Sequence, residues 1–147
     1  MILGVHSATF VKNWHEDITP YIHKCKKAGY KSVEISLLGQ TPSSVKEIAK
    51  LANDLNITLT CTTGLSKDED IGSNNKLIQK KGVEALKKAI DLTSMMEANL
   101  LTGVVHAAWG ISSTQGKDKE AKFKNSSQCI KKISSLLIEK DIKLGIE

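Results

Sequence analysis

Two carboxylates, two imidazoles, two indoles and a pair of hydroxyls fall within, or at the ends of, short apolar runs of this chain. The carboxylates are Glu34 in SVEIS and Glu147 directly after KLGI. The imidazoles are His6 and His106, the indoles are Trp14 and Trp109, and the hydroxyls are Thr62 and Thr63, followed by Gly64. A carboxylate held in a fixed place can take and return a proton or bind a divalent cation. Threonine hydroxyls can hydrogen-bond a hydroxyl-bearing ligand, a glycine lets a ligand approach the backbone, and an indole gives a flat apolar wall. Each residue also has a plainer reading. Glu147 could be an acid of no special role, Glu34 an interior ion-pair partner, His6 and His106 scaffold groups bonded to their neighbours, and the tryptophans packing under a loop.

The elements that must position these residues follow from periodicity. Short β-rich runs at 2–6, 32–36, 58–62, 100–105 and 143–147 alternate with longer amphipathic runs, the pattern of a parallel sheet with helical crossovers. The first helix is expected to take Thr19 as N-cap and Pro20 at its first position, to bury Ile22 and Cys25, and to stop at Gly29. The second is expected to open on Ser44, with Glu47 at capping-box spacing. Val45, Ile48, Ala49, Ala52 and Leu55 recur along one side, and Asn56 is its stop. The third, over 75–97, carries Ile78, Gly82, Ala85, Leu86, Ala89, Ile90 and Thr93 on one stripe, with Gly82 allowing close packing. The fourth, over 119–140, is expected to bury Phe123, Ser126, Ile130, Ile133 and Leu137.

Four βα units and a fifth strand make an α/β fold with a parallel sheet, read here as part of a (βα)8, or TIM, barrel. The chain then represents about half of one such domain, residues 1–147 forming its N-terminal half. A parallel strand left at an open edge exposes unpaired backbone groups, which leads to the same expectation. In such barrels functional groups gather at the carboxyl ends of the strands. His6, Trp14, Thr62, Thr63, Gly64, His106, Trp109 and Glu147 all fall at or just beyond those ends, which favours pocket roles for both tryptophans.

Composition narrows the function classes. With 147 residues, 40% apolar and 25% charged, the chain fits one globular domain able to bury a real core. No apolar run approaches the roughly 20 residues of a membrane helix and no secretory leader is visible, so no membrane partner and a cytoplasmic setting are expected. The net charge of +5 rests on lysine alone, dispersed among Asp and Glu along helices. Readers of nucleic acid lean on arginine forks and stacked aromatics, so a nucleic-acid partner is not expected. Cys25, Cys61 and Cys129 are far apart and read as reduced packing residues, not as a disulfide or zinc set. The acidic run Asp68, Glu69, Asp70 lacks ligand spacing and reads as solvated, and no glycine-rich phosphate loop is present.

Taken in order, GVHSATF with Trp14, GYKSVEIS, TLTCTTGLSKDEDIGS, LLTGVVHAAWG and LGIE resemble the xylose isomerase-like barrel superfamily, and within it the ketose 3-epimerases of the D-tagatose and D-psicose type. No one of these segments is specific; their order and spacing along the whole chain carry the likeness. The resemblance implies a sugar isomerase or epimerase that interconverts ketoses through an enediolate, with a small sugar as partner and a homo-oligomer when full length. It implies a divalent metal, Mn2+ or Co2+, and makes Glu147 both a metal ligand and one of two proton-moving carboxylates. The remaining ligands of that family come from later strands, so the chain would be inactive alone. His6, Trp14, Thr62, Thr63 and Trp109 become substrate-binding residues. His6 stands where the family has an aromatic, which puts the sugar preference in doubt. Rival readings are another enzyme of the same superfamily, such as a hydroxypyruvate isomerase, an inosose dehydratase or an endonuclease IV-like phosphodiesterase, and a non-catalytic half-barrel that serves assembly.

Overall fold

The structure, a computed structural model, describes residues 2–110 and 116–147. Five strands, β1 (Gly4–His6), β2 (Ser32–Ser36), β3 (Thr58–Leu65), β4 (Leu100–Ala108) and β5 (Lys143–Leu144), form one sheet in the order β1-β2-β3-β4-β5, every neighbouring pair parallel. The order never reverses. A doubly wound sheet switches direction at its centre, whereas one that always adds the next strand on the same side is the beginning of a barrel. The expected fold class is therefore met: a parallel α/β sheet of the TIM barrel type.

Between the strands lie α1 (Thr19–Lys27), α2 (Pro42–Asp54), α3 (Lys76–Met95), and the pair α4 (Gly116–Lys131) and α5 (Ser134–Glu139). Strand alternation sends one set of side chains to these helices. Val33, Ile35, Leu59, Cys61, Leu101 and Val105 are buried there against Ile22, Val45, Ile48, Leu86 and Ile90. The alternate set, which includes His6, Ser32, Glu34, Thr60, Thr62 and Thr102, lines the concave face that a closed barrel makes its interior.

Several local expectations need correction. The first helix has Ile18, not Thr19, at the N-cap; the Thr19 hydroxyl bonds Asp17, and Pro20 follows within the first turn. The second opens one turn earlier than expected. Thr41 is the N-cap, Pro42 begins the helix, and the capping box is reciprocal between Thr41 and Ser44 instead of Ser44 and Glu47. The fourth helix is broken, and the turn at Lys132 and Ile133 places Ile133 fully in the core. Phe123 is 75% exposed, not buried. The buried stripe passes through Ser126, Cys129 and Ile133, and one helix position is about 100° of rotation, so Lys122, whose Cβ approaches Gly72, takes the inward place and Phe123 turns out. Gly82 does allow close packing, because a β-carbon there would overlap the Glu69 carbonyl and press on Ile71.

The strands also differ in length from the expected runs. β3 and β4 extend to Leu65 and Ala108, with a bulge between Gly64 and Leu65 that pairs Leu65 with Ala108. β1 begins only at Gly4 and β5 is regular only over Lys143–Leu144, although the ladder continues through Gly145 N–H to Leu101 and Glu147 N–H to Gly103. No helix among the described residues is long and apolar enough to cross a membrane.

Candidate functional site

All five strands point their carboxyl ends the same way, so the residues just beyond them share one rim. At β1 the chain turns through a short 3-10 segment, Ser7–Thr9, capped by the His6 side chain, whose Nδ1 accepts the Ala8 N–H at 2.8 Å. Ser7 is buried, and its hydroxyl accepts the Ser36 N–H at 3.1 Å, which ties the β1 and β2 ends together. Trp14 follows in the same connection and is 42% exposed. It shares a small cleft with Val11, Ile18, Ile35 and Gln40, and its carbonyl lies against Gly39, where φ is +77° and no β-carbon would fit.

At β3, Thr62 and Thr63 are consecutive, and strand alternation sends them to opposite faces. Thr62 pairs with Thr102 and is two residues from Thr60, which pairs with Glu34, so Thr62 belongs to the concave row. Thr63 belongs to the helix-facing row, paired with Gly103. The expected hydroxyl pair is thus split, with Thr62 alone on the concave face.

At β4, Trp109 is 70% exposed and its N–H is held by the Leu65 carbonyl at 2.8 Å. A β-carbon on Gly64 would meet its ring at 4.0 Å, so the indole lies over the end of β3. The His106 side chain is exposed, while its carbonyl accepts the hydroxyl of Ser126 on α4. Asn125, also on α4, donates to the carbonyls of Gly72 and Ser73. These bonds fix the loop after β3 and the end of β4 to one helix. Asp70, expected to be solvated, is buried instead and accepts the Gly72 N–H at 2.8 Å. At β5, Glu147 is exposed, and the ladder parity through Lys143, Gly145 and Glu147 puts it on the concave side.

Glu34 and Thr102 stand outside the catalytic and substrate-binding residues expected from sequence. The structure joins them on the concave face. Thr102 Oγ1 donates to Glu34 Oε1 at 2.8 Å, reaching across the intervening β3, and Glu34 Oε2 stands 3.9 Å from His6 Nε2. Even-numbered strands meeting over an odd one is the layering of barrel interiors. A glutamate in the middle of SVEIS and a threonine in LLTGVV, both in strand-interior positions where an aliphatic residue is usual, are the signal that could have found them.

Behind the sheet, burial pushes the Cys61 thiol up to about 12; a bond with Thr93 works against that shift and the nearby Glu34 charge adds to it. The three cysteines are buried and unpaired. Among the described residues no three His, Cys, Asp or Glu side chains converge as a metal cluster. What Glu147 offers is one exposed carboxylate, a hard oxygen donor of the kind divalent cations take, so it fits as a single ligand and not as a whole site.

A family model described as the xylose isomerase-like TIM barrel matches residues 22–147. The chain is 23% identical over 152 residues to D-psicose 3-epimerase of Enterocloster bolteae, an alignment covering 100% of this chain and 50% of that protein. It superposes on the crystal structure of a D-psicose 3-epimerase in the presence of D-fructose with a TM-score of 0.89 and 23% identity, over 99% of this chain and 52% of the other. With D-allulose 3-epimerase from Methylomonas sp. in complex with D-allulose the TM-score is 0.84 and the identity 26%, over 97% and 49%. The chain spans about half the length of the curated relatives it matches.

Proposed function

Because this chain belongs to the xylose isomerase-like TIM barrel family, we propose that it supplies the N-terminal half of a single barrel domain whose site epimerises a ketose next to its carbonyl. Support comes from the relatives, several of which are named ketose 3-epimerases, and from the barrel order of the strands. The single observation that carries the reading is that the β5 ladder delivers Glu147, through its N–H bond to Gly103, to the rim where Trp109 and Thr62 also lie.

Epimerisation removes a proton from the carbon beside a ketone and returns one to the opposite face of a planar enediolate. Glu147 is the base or acid for one face. A carboxylate for the other face is proposed to come from further βα units. A divalent metal, proposed to be Mn2+ or Co2+ and held in part by Glu147, supplies Lewis-acid stabilisation of charge on the sugar oxygens when bound. Trp109, and Trp14 beyond β1, wall off the C–H face of the sugar and keep out water that would reprotonate at random. The Thr62 hydroxyl orients a sugar hydroxyl, and His6 lines the pocket at the end of β1. A cytoplasmic setting is proposed with this function, supported by three buried, unpaired cysteines.

The test is proton exchange at C3 of D-fructose or D-allulose in deuterated water with Mn2+, followed by NMR on the protein with its complete barrel. Exchange is expected, and Glu147→Gln should reduce it by at least about a hundredfold, the scale of a lost general base. A ketose that keeps its C3 proton with every divalent ion tried would sink the proposal.

A further inference from the structure

In the ring pose that faces Glu34, the bond from the Ala8 N–H sets the tautomer of His6. A backbone N–H is always a donor, so the Nδ1 that accepts it at 2.8 Å carries a lone pair, and the neutral ring holds its proton on Nε2. That Nε2–H faces Glu34 Oε2 at 3.9 Å, beyond direct bonding distance but near enough for the carboxylate charge to orient the N–H dipole. The other carboxylate oxygen, Oε1, is fixed by the Thr102 hydroxyl. His6 and Glu34 are paired residues on adjacent strands, with side chains 34% and 28% exposed, so the pair sits in the open floor of the concave face, below the rim.

We propose that Glu34 is a positioning residue for His6: pinned by Thr102, its carboxylate holds the imidazole so that a neutral Nε2–H, and no free ring nitrogen, faces the pocket. His6 is then a fixed donor and wall that selects among sugar hydroxyls, and it is not a proton carrier. The proposal rests on the epimerase reading for its kinetic consequence only; the ring geometry stands without it.

A carboxamide can do the same work. In Glu34→Gln the amide oxygen can face His6 and the amide N–H can donate to Thr102 Oγ1, whose own proton can turn to the Cys61 carbonyl 3.4 Å away. A charge used in chemistry could not be replaced so. Leucine at the same place can do neither.

The experiment pairs long-range 1H–15N spectra of the His6 ring with kinetics on the same samples. The wild type and Glu34→Gln should show one tautomer, protonated at Nε2, and Glu34→Leu, whose ring is free to leave the Ala8 N–H, a mixture. Thr102→Val, which keeps shape and frees Glu34, guards against a Glu34→Leu variant that fails to fold and should shift the ring signals in the same direction. In the ketose assay, Glu34→Gln should stay within about threefold of wild type, whereas Glu34→Leu should raise KM about tenfold, the scale of one lost hydrogen-bonding contact, with kcat within about threefold. A wild-type ring protonated at Nδ1, ring signals indifferent to both Glu34→Leu and Thr102→Val, or a Glu34→Gln variant reduced more than about a hundredfold would overturn the proposal. If no ketose is turned over at all, the epimerase reading fails while the spectra still decide the role of Glu34.

Discussion

Gly103 and Thr63 face each other across β3 and β4 so closely that a β-carbon on Gly103 would run into the Thr63 carbonyl oxygen, and the Gly103 backbone holds φ at +128°. Both features favour glycine here, one by space and one by conformation. Gly103 also accepts the Glu147 N–H, so the close approach of β3 and β4 sets where the candidate carboxylate is delivered.

Gly103→Ala should therefore lower stability by about 3 kcal/mol, combining overpacking against backbone with left-handed strain. Gly29→Ala is the control. Gly29 has φ +90° at the end of α1 but nothing within 4 Å of a β-carbon, so it should lose only about 1 kcal/mol. Urea unfolding of the two variants checks the difference. Equal losses would mean that the contact with Thr63 relaxes freely.

Thr41→Ala should cost about 1 kcal/mol, because it removes the hydroxyl that accepts the Ser44 N–H and breaks the reciprocal cap of α2. Glu47→Ala should be nearly neutral, since Glu47 is exposed and its one side-chain bond is to Ser43 at 3.3 Å. Thermal unfolding of the two variants separates them, and a larger loss at Glu47 would restore the later helix start.

These contrasts show what the sequence disclosed. Strand and helix alternation, the face of α1 through Ile22 and Cys25, and the small residue at Gly82 were legible because period and size are properties of the chain itself. The start of α2 was not, because Thr41 and Ser44 are both competent caps and only the fold shows which hydroxyl meets the free N–H groups. Phe123 misled because its apolar side chain suggested the core, whereas the helix phase is set by Ser126, Cys129 and Ile133. At the site, the strand ends could be named from sequence, but the link from Thr102 to Glu34 depends on two strands meeting over a third. No local pattern encodes that meeting.

Cys61 gives the chain a pH signature. Its thiol is raised from 9.0 to about 12, so between those values the folded state keeps a proton that the unfolded state gives up. Stability from this group is complete below pH 9 and declines as pH rises towards 12, with a slope of at most about 1.4 kcal/mol per pH unit. Urea midpoints measured from pH 8 to 11 should fall faster for wild type than for Cys61→Ala, which lacks the group. Parallel curves would show that the thiol ionises alike in both states.

Thr62 and Thr63 offer the sharpest separation of pocket from scaffold, because they are chemically identical neighbours on opposite faces. Thr62 shares the concave row with Thr102 and Glu34, so Thr62→Val should leave unfolding almost unchanged and raise KM for the ketose about tenfold, as expected for one lost hydrogen bond to substrate. Thr63 lies in the row that faces the helices, where its carbonyl crowds Gly103, so Thr63→Val should leave KM within about twofold. Its effect should fall on stability instead. Valine preserves shape in both cases, and steady-state kinetics with urea unfolding on the same two proteins reads both quantities. If Thr63→Val raised KM while Thr62→Val did not, the alternation along β3 would be displaced by the bulge at Gly64 and Leu65, and the helix-facing hydroxyl would be the one that reaches the sugar.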